Sequence, residues 1–350
     1  MTSVLKKRTA LITAILALSI ATGCGNNNNN TAANDTGNEA ATTNATNNAA
    51  ANEAATDTAA NTTEEAAPAA VTIDEAKAAE LQAKFGDKKP EKVVVASVAI
   101  AELLDALGVM PVGVPTSMSA LPAAFDNVQK IGSALKPDAE VITSLEPDVV
   151  LGPASIQDSL DKQLGSAKLN MVYIPTDSLE ELTLSTVVLG HVFGQEQKAT
   201  DLVNGLATAE AAAVKQAEGQ TQPKVMFLFG SAESFMLMNE STYAGSMAKK
   251  LGASNVVSDV LKSQETYVPL DMESVVTANP DVILLVAHGD PEAAKKAFED
   301  DVKKNGAWEK LNAFKNNRVE ALDYNLFGIT SITKAASAYQ ELASKLYPAN

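Results

Sequence analysis

The sequence contains the stretch Asn279-Pro280-Asp281-Val282-Ile283-Leu284-Leu285-Val286-Ala287-His288-Gly289-Asp290-Pro291, and this stretch predicts the fold. A turn signal, Asn279-Pro280-Asp281, precedes a continuous apolar run that is rich in β-branched residues. Such a run predicts a strand of a parallel sheet that is buried on both faces. Ligands of open α/β sheets bind at the carboxyl ends of the strands. The strand therefore brings His288 to the position where a ligand would bind.

The same local pattern occurs earlier in the chain. Glu140 stands seven positions before Pro147 and an apolar strand follows, just as Glu273 stands seven positions before Pro280. This match indicates a helix–turn–strand unit that is used twice. We expect the two glutamates to form a symmetric anionic pair that engages basic residues of a partner. The alternative is that both are ordinary solvated residues of a helix.

The remaining apolar runs alternate with helical segments, which is typical of parallel α/β sheets. Residues 195–218 are rich in Ala, Glu and Lys without an interrupting proline, so they predict one long linking helix. We therefore predict an α/β protein with two Rossmann-like lobes that contain mainly parallel sheets. The lobes are expected at 90–190 and 222–348, joined by this backbone helix, with a ligand cleft between them.

The beginning of the chain predicts a bacterial lipoprotein signal peptide at residues 1–23. Lys6-Lys7-Arg8 precedes an apolar run that is too short to span a bilayer. Ala21-Thr22-Gly23-Cys24 resembles a lipoprotein cleavage box, and Cys24 is the only cysteine. We expect Cys24 to be lipidated; a simple secretory signal with a free cysteine is the alternative. Residues 24–68, of low-complexity Asn, Ala and Thr, predict a disordered tether to the extracytoplasmic face of the cell membrane.

Composition excludes several classes of function. The 350-residue chain has a net charge of −16, which argues against nucleic-acid binding. There is no G-x-S-x-G elbow and no phosphate-binding loop. His191 and His288 are the only histidines, too few for a bare metal site. We expect a binding protein without a catalytic cofactor rather than an enzyme. His191 is predicted to be an exposed helix residue near a C-cap and Trp308 a packing anchor.

Together these features resemble the solute-binding proteins of bacterial ABC importers that have a rigid helical backbone. That class takes up iron chelates, heme and cobalamin, and the resemblance covers about residues 90–348. It implies that an ABC permease and its ATPase are partners. It also implies that Glu140 and Glu273 dock onto arginines of the permease, because both stand in the E-x6-P-D pattern of the class.

The chain is also similar to the heme-receptor lipoproteins of the iron-regulated surface determinant systems of Gram-positive bacteria. The matching pieces are Val112–Ser117, Ser241–Gly245, Asn279–Leu284, His288–Glu292, Phe314–Val319 and Phe327–Thr330.

This resemblance implies that His288 is an axial ligand of heme iron. The second axial ligand of that family is a methionine, but Leu135 stands at the expected position and leucine cannot ligate iron. Either the iron is five-coordinate or Met118 substitutes; a buried, gap-filling role for Met118 is the alternative.

The scarcity of arginine helps to order the candidate ligands. Beyond the signal peptide the sequence contains one arginine, Arg318, whereas ferric catecholates and ferric citrate favour an arginine cluster. We expect heme first, then a ferric hydroxamate siderophore, then a corrinoid. Tyr267, Tyr324 and Arg318 are the further candidates for ligand contact, and a surface heme donor is a candidate partner. A surface adhesin or structural lipoprotein is the alternative from another class.

Overall fold

The computed structural model describes residues 72–231, 233–287 and 290–348, which belong to one compact unit. The signal peptide, the tether, Cys24 and His288 lie outside the described residues. Within the described ranges, no helix has both the length and the apolar content needed to cross a membrane.

The first half of the described chain forms a parallel sheet. The strands of this half of the chain are β1 (Val93–Val95), β2 (Gly113–Val114), β3 (Gln129–Lys130), β4 (Gly132–Ser133), β5 (Lys136–Pro137), β6 (Val149–Pro153) and β7 (Met171–Ile174). Five of them form the N-terminal sheet in the order β3-β2-β1-β6-β7, with parallel pairing throughout. β4 and β5 form a separate antiparallel hairpin.

The second half forms a mixed sheet. Its strands are β8 (Lys224–Gly230), β9 (Phe235–Met238), β10 (Ser254–Asn255), β11 (Tyr267–Pro269), β12 (Val282–Ala287) and β13 (Val319–Ala321). The C-terminal sheet has the order β11-β9-β8-β12-β13, and β10 pairs with the start of β8. β9 is antiparallel to both of its neighbours, and the sequence did not predict β9 or β11. The predicted α/β class with two mainly parallel sheets is confirmed.

Helices connect the strands and cover the sheets. They are α1 (Glu75–Ala83), α2 (Val98–Leu107), α3 (Ala139–Ser144), α4 (Gln157–Leu164), α5 (Leu179–Val192), α6 (Glu196–Ala217), α7 (Tyr243–Lys250), α8 (Met272–Ala278), α9 (Pro291–Lys304), α10 (Asn312–Lys315), α11 (Tyr324–Phe327) and α12 (Ala335–Leu346). An aspartate side chain caps the first turn of α1, α3, α8, α9 and α11, because its oxygens accept the free backbone N–H groups there.

The repeated Pro-Asp pattern has a structural reason. The carboxylate of Asp148 accepts the backbone N–H groups of Glu91 and Lys92 at 2.7 and 2.8 Å. Asp281 accepts the backbone N–H of Lys224 at 3.0 Å in the same way. Each aspartate therefore fastens the start of a central strand, β6 or β12, to its parallel neighbour, β1 or β8. The helix–turn–strand unit predicted from the sequence occurs in both sheets.

Both sheets are covered on two faces, which explains their continuous apolar strands. Val95 and Leu284 belong to one large core that includes residues of both sheets and of helices α5, α6 and α12. The opposite face of the N-terminal sheet packs on α3 and α4. The opposite face of the C-terminal sheet packs on α9 and on Trp308, which is fully buried against Phe298 as the packing anchor that was predicted.

The long helix α6 packs against α5 and α12. At the crossing with α5, a Cβ atom at Gly190 would collide with the side chain of Ala199, so only glycine allows this approach. His191 follows on the exposed side of α5, with Nδ1 3.6 Å from Glu196 Oε1, which confirms its predicted surface position. The lobe boundaries at 90–190 and 222–348 stay predictions.

Candidate ligand-binding cleft

The carboxyl ends of strands from the two sheets come together in space. Ser119 follows β2 of the N-terminal sheet, and Tyr324 follows β13 of the C-terminal sheet. Their hydroxyl groups lie 3.1 Å apart and form a hydrogen bond. We use "the cleft" for the region between these two carboxyl edges, where a ligand of an open α/β sheet is expected.

Tyr267, a predicted ligand contact, lies on β11 at the cleft. Its ring packs on Phe229 with a centroid distance of 5.3 Å, and the residue remains 38% exposed. Burial raises the pKa of the Tyr267 hydroxyl, and the negative charge of Asp177 raises it further. Because Asp177 follows β7 of the other sheet, this electrostatic contact also spans the cleft.

Two large apolar side chains of the N-terminal half are exposed near this edge. Met118 is 84% exposed and Leu135 is 63% exposed. Leu135 lies in the β4–β5 hairpin, which adjoins the segment after β2 because the Thr116 N–H donates to the Gly132 carbonyl at 2.7 Å. The alternative expectation for Met118, a buried gap-filling role, is wrong. Its thioether is accessible to a ligand.

The structure describes the chain up to Ala287 and again from Asp290, so His288 itself lies outside the described residues. β12 ends at Ala287, and α9 begins at Pro291. Asp290 caps that helix by accepting the N–H groups of Glu292 and Ala293 at 3.0 and 3.1 Å. The axial-ligand role of His288 stays a prediction.

Arg318 requires a correction. It precedes β13, so it lies at the amino end of that strand, whereas the cleft is at the carboxyl ends. Its guanidinium donates to the carbonyls of Lys345 and Leu346 at 2.5 and 2.9 Å. These carbonyls belong to the last turn of α12, where a cation stabilises unpaired acceptors and the helix dipole. Arg318 thus supports a helix end and does not fit the ligand-contact role suggested from the sequence.

Glu140 and Glu273 occupy equivalent places on the two sheets. Each is exposed in the first turn of a helix, α3 or α8, that precedes a central strand. Asp138 and Asp271 are the respective N-caps. A capped first turn holds each glutamate in a defined position, as a docking contact requires, although no contact in the structure tests that role.

Sequence reasoning missed three polar residues of the cleft, namely Ser119, Ser155 and Asp177. All three follow predicted strands, so the rule that located His288 would have found them too. Asp177 ends the segment Pro175-Thr176-Asp177 after β7 and lies near Ser155, which follows β6. Burial raises the pKa of Asp177, and the Ser155 hydrogen bond opposes that rise.

Comparisons with known proteins agree with this geometry. Residues 93–326 match the family described as Periplasmic binding protein. The chain is 31% identical over 257 residues to the high-affinity heme uptake system protein IsdE of Staphylococcus aureus strain Newman, which covers 73% of this chain and 87% of the relative.

Two solved structures are similar over comparable lengths. An ABC transporter substrate-binding protein from Listeria monocytogenes EGD-e has a TM-score of 0.68 and 33% identity, covering 75% of this chain and 100% of the other. The crystal structure of S. aureus IsdE complexed with heme has a TM-score of 0.67 and 32% identity, covering 73% and 98%.

Proposed function

The chain belongs to the periplasmic binding protein family, and we propose that it captures heme outside the cell for an ABC importer. The family consists of binding proteins rather than enzymes, and this chain is a substrate-binding protein of the heme and iron-siderophore class. The observation that carries the heme assignment is the set of exposed apolar side chains at the cleft. Met118, Leu135 and Tyr267 stay exposed where a ligand would cover them.

Heme suits this lining because its macrocycle is a large apolar surface with two propionates at one edge. Apolar side chains left in water are costly, and a ligand that covers them recovers part of that free energy. A small number of polar groups then orients the ligand. Tyr324, Ser119 and Tyr267 offer hydroxyl groups for that purpose. Similarity to the S. aureus relative that was crystallised with heme supports the same ligand.

We propose that His288 ligates the iron. In the sequence it directly follows β12, a strand that pairs with β8 and β13 of the C-terminal sheet. Neutral imidazole is a common axial ligand of heme iron, and a thioether is a known second ligand. Met118 is the proposed source of that thioether, since Leu135 has no ligating atom. Without Met118 the iron would be five-coordinate.

Delivery would use the exposed glutamates. Glu140 and Glu273 are proposed to pair with basic residues of the permease, whose ATPase then drives import. The signal peptide at residues 1–23 would direct export, and after its removal the lipid on Cys24 and the tether at 24–68 would keep the protein at the extracytoplasmic face of the membrane. A surface heme donor is the proposed source of the ligand.

The test is a side-by-side absorbance titration of the purified protein with hemin, cobalamin and a ferric trihydroxamate. We expect a Soret band that saturates at one hemin per chain, with weaker binding of the other two. Tighter binding of the hydroxamate or of cobalamin would transfer the assignment to a siderophore or a corrinoid importer. Binding of none of the three would leave a surface adhesin or structural lipoprotein as the better function.

A further inference from the structure

The cleft contains a carboxylate that the proposed function does not use. Asp177 lies three residues beyond the end of β7 and directly before Ser178, the N-cap of α5. The residue is half-buried at the carboxyl edge of the N-terminal sheet. A partly desolvated acidic group at this place affects any ligand that enters the cleft.

Hydrogen bonds hold the backbone at Asp177 in a fixed position. The Asp177 N–H donates to Glu181 Oε2 at 2.9 Å. Ser178 and Glu181 form a reciprocal capping box, in which Ser178 Oγ accepts the Glu181 N–H at 3.1 Å. Because a capping box fixes the entry of the chain into a helix, the backbone that carries the carboxylate is preorganised before any ligand arrives.

Among the residues that the structure describes, no cation neutralises the charge of Asp177. The nearby Ser155 hydroxyl acts to lower the pKa of its carboxyl, and no lysine or arginine of the described ranges forms an ion pair with it. Its negative charge reaches the hydroxyl of Tyr267 on the C-terminal sheet. The field of this carboxylate therefore extends across the cleft, where partial burial weakens solvent screening.

Nothing from Arg318 offsets that field. Arg318 is committed to the end of α12 at the amino edge of the C-terminal sheet. Guanidinium groups are the usual partners of strongly anionic ligands, because they bind oxygen pairs in a bidentate manner. The cleft thus combines an unneutralised carboxylate with no arginine from the described residues.

We propose that Asp177 is a specificity-determining residue that excludes strongly anionic ferric chelates from the cleft. A ferric tricatecholate is a trianion, and Asp177 would repel it. Heme carries its two carboxylates at one edge and a ferric centre that is positive, so it can turn an apolar edge toward Asp177. The inference deepens the proposed function and depends on it in one respect, namely that the cleft binds iron chelates.

The experiment compares wild type, Asp177→Asn and the control Asp126→Asn by isothermal titration calorimetry with hemin and with the ferric complex of a hexadentate tricatecholate. Asparagine keeps the size of the side chain and an oxygen that can accept a hydrogen bond from Ser155. Asp126 is exposed and lies shortly before β3, on the amino side of that strand, so its variant makes the same change in net charge away from the carboxyl edge. We expect Asp177→Asn to bind the tricatecholate at least about tenfold more tightly at low salt, with hemin affinity within about threefold of wild type. The control should change neither.

Two results would overturn the inference: tricatecholate binding that is equal in wild type and Asp177→Asn, or undetectable in both, since the carboxylate would then not be the excluding group. Failure of hemin to bind together with a tricatecholate gain in Asp177→Asn would contradict the proposed ligand and support the role of Asp177. Hemin binding without a tricatecholate gain in Asp177→Asn would support the proposed ligand and contradict the role of Asp177.

Discussion

Tyr324 Oη and Ser119 Oγ lie 3.1 Å apart, although the two residues are 205 positions apart in the sequence. Each follows the carboxyl end of a strand in a different sheet. A second bridge joins Lys334 and Glu102, whose charged atoms lie 2.8 Å apart between the start of α12 and α2. Side-chain contacts therefore fix how the two carboxyl edges face each other, and a ligand entering the cleft must be accommodated within that arrangement.

The bridge between Tyr324 and Ser119 is expected to stabilise the fold measurably. Tyr324→Phe and Ser119→Ala each remove one partner of a hydrogen bond whose net contribution is about 1 kcal/mol. In a double-mutant cycle measured by urea denaturation, we expect a coupling energy of about 0.5–1.5 kcal/mol. Strict additivity of the two substitutions would show that the bridge contributes nothing in solution.

Asp148 and Asp281, the aspartates at the starts of β6 and β12, should both stabilise the folded protein. Asp281→Ala removes the acceptor for the Lys224 N–H and for Asn312 Nδ2, at 3.0 and 3.1 Å, and is expected to lower the free energy of unfolding by about 1–3 kcal/mol. Asp148→Ala should destabilise in the same direction. Urea denaturation measures both, with Asp126→Ala as the control.

Asp148 also provides a pH signature. Hydrogen bonds from the backbone of Lys92 and then Glu91 lower its pKa below the ordinary 3.8. The contribution of Asp148 to the free energy of unfolding is therefore complete above pH 3.8 and is lost as the pH falls below the lowered pKa. A difference between Asp148→Ala and wild type that stayed constant from pH 7 to pH 3 would contradict this origin.

The effect of the ionised Asp177 carboxyl on stability should have the opposite sign to that of Asp148. Burial raises its pKa, so the ionised carboxyl costs stability in the folded state. That cost is complete above the raised pKa and disappears below the ordinary value near 3.8. Asp177→Asn is therefore expected to be more stable than wild type at pH 7, by up to about 1 kcal/mol, and the gain should vanish toward pH 3. The measurement is chemical denaturation across that range; a loss of stability at pH 7 would be the contrary result.

Much of the fold could be predicted because local chemistry determines it. The apolar run 282–287 is buried on both faces of the sheet, and the Pro-Asp turns place the same backbone contacts in both halves. β9 and β11 were missed because they depend on tertiary pairing: β9 turns back on β8, and β11 pairs only with β9. Gly230-Ser231 is a turn signal between the apolar runs of β8 and β9, whereas no local signal indicates that β11 pairs with β9.

The site was predictable in part. The expected strand end at the cleft pointed to Met118, and Tyr324 was also named as a candidate ligand contact. Arg318 was named from its charge, and charge does not say at which end of a strand a residue lies. Asp177 also follows a predicted strand, but its partial burial and the lack of a cationic partner among the described residues could not be predicted from the sequence.

The exposed glutamates should affect transport without affecting capture. Glu140→Ala and Glu273→Ala remove the charges proposed to meet basic permease residues. We expect heme uptake by cells to fall about fivefold for each variant and more than about tenfold for the double variant, with hemin affinity unchanged. Glu75→Ala, an exposed glutamate in the first turn of α1, is the matched control. Normal uptake by the double variant would exclude this docking surface.

The most direct test of heme capture in the cleft is the Soret spectrum of the His288→Ala protein after hemin titration. His191→Ala is the matched control, because His191 is exposed on α5 beside Glu196, on a helix surface outside the cleft. We predict that His288→Ala loses the ligated Soret band and binds hemin at least about tenfold more weakly, while His191→Ala matches wild type. A His288→Ala protein with the wild-type spectrum and affinity would contradict the account.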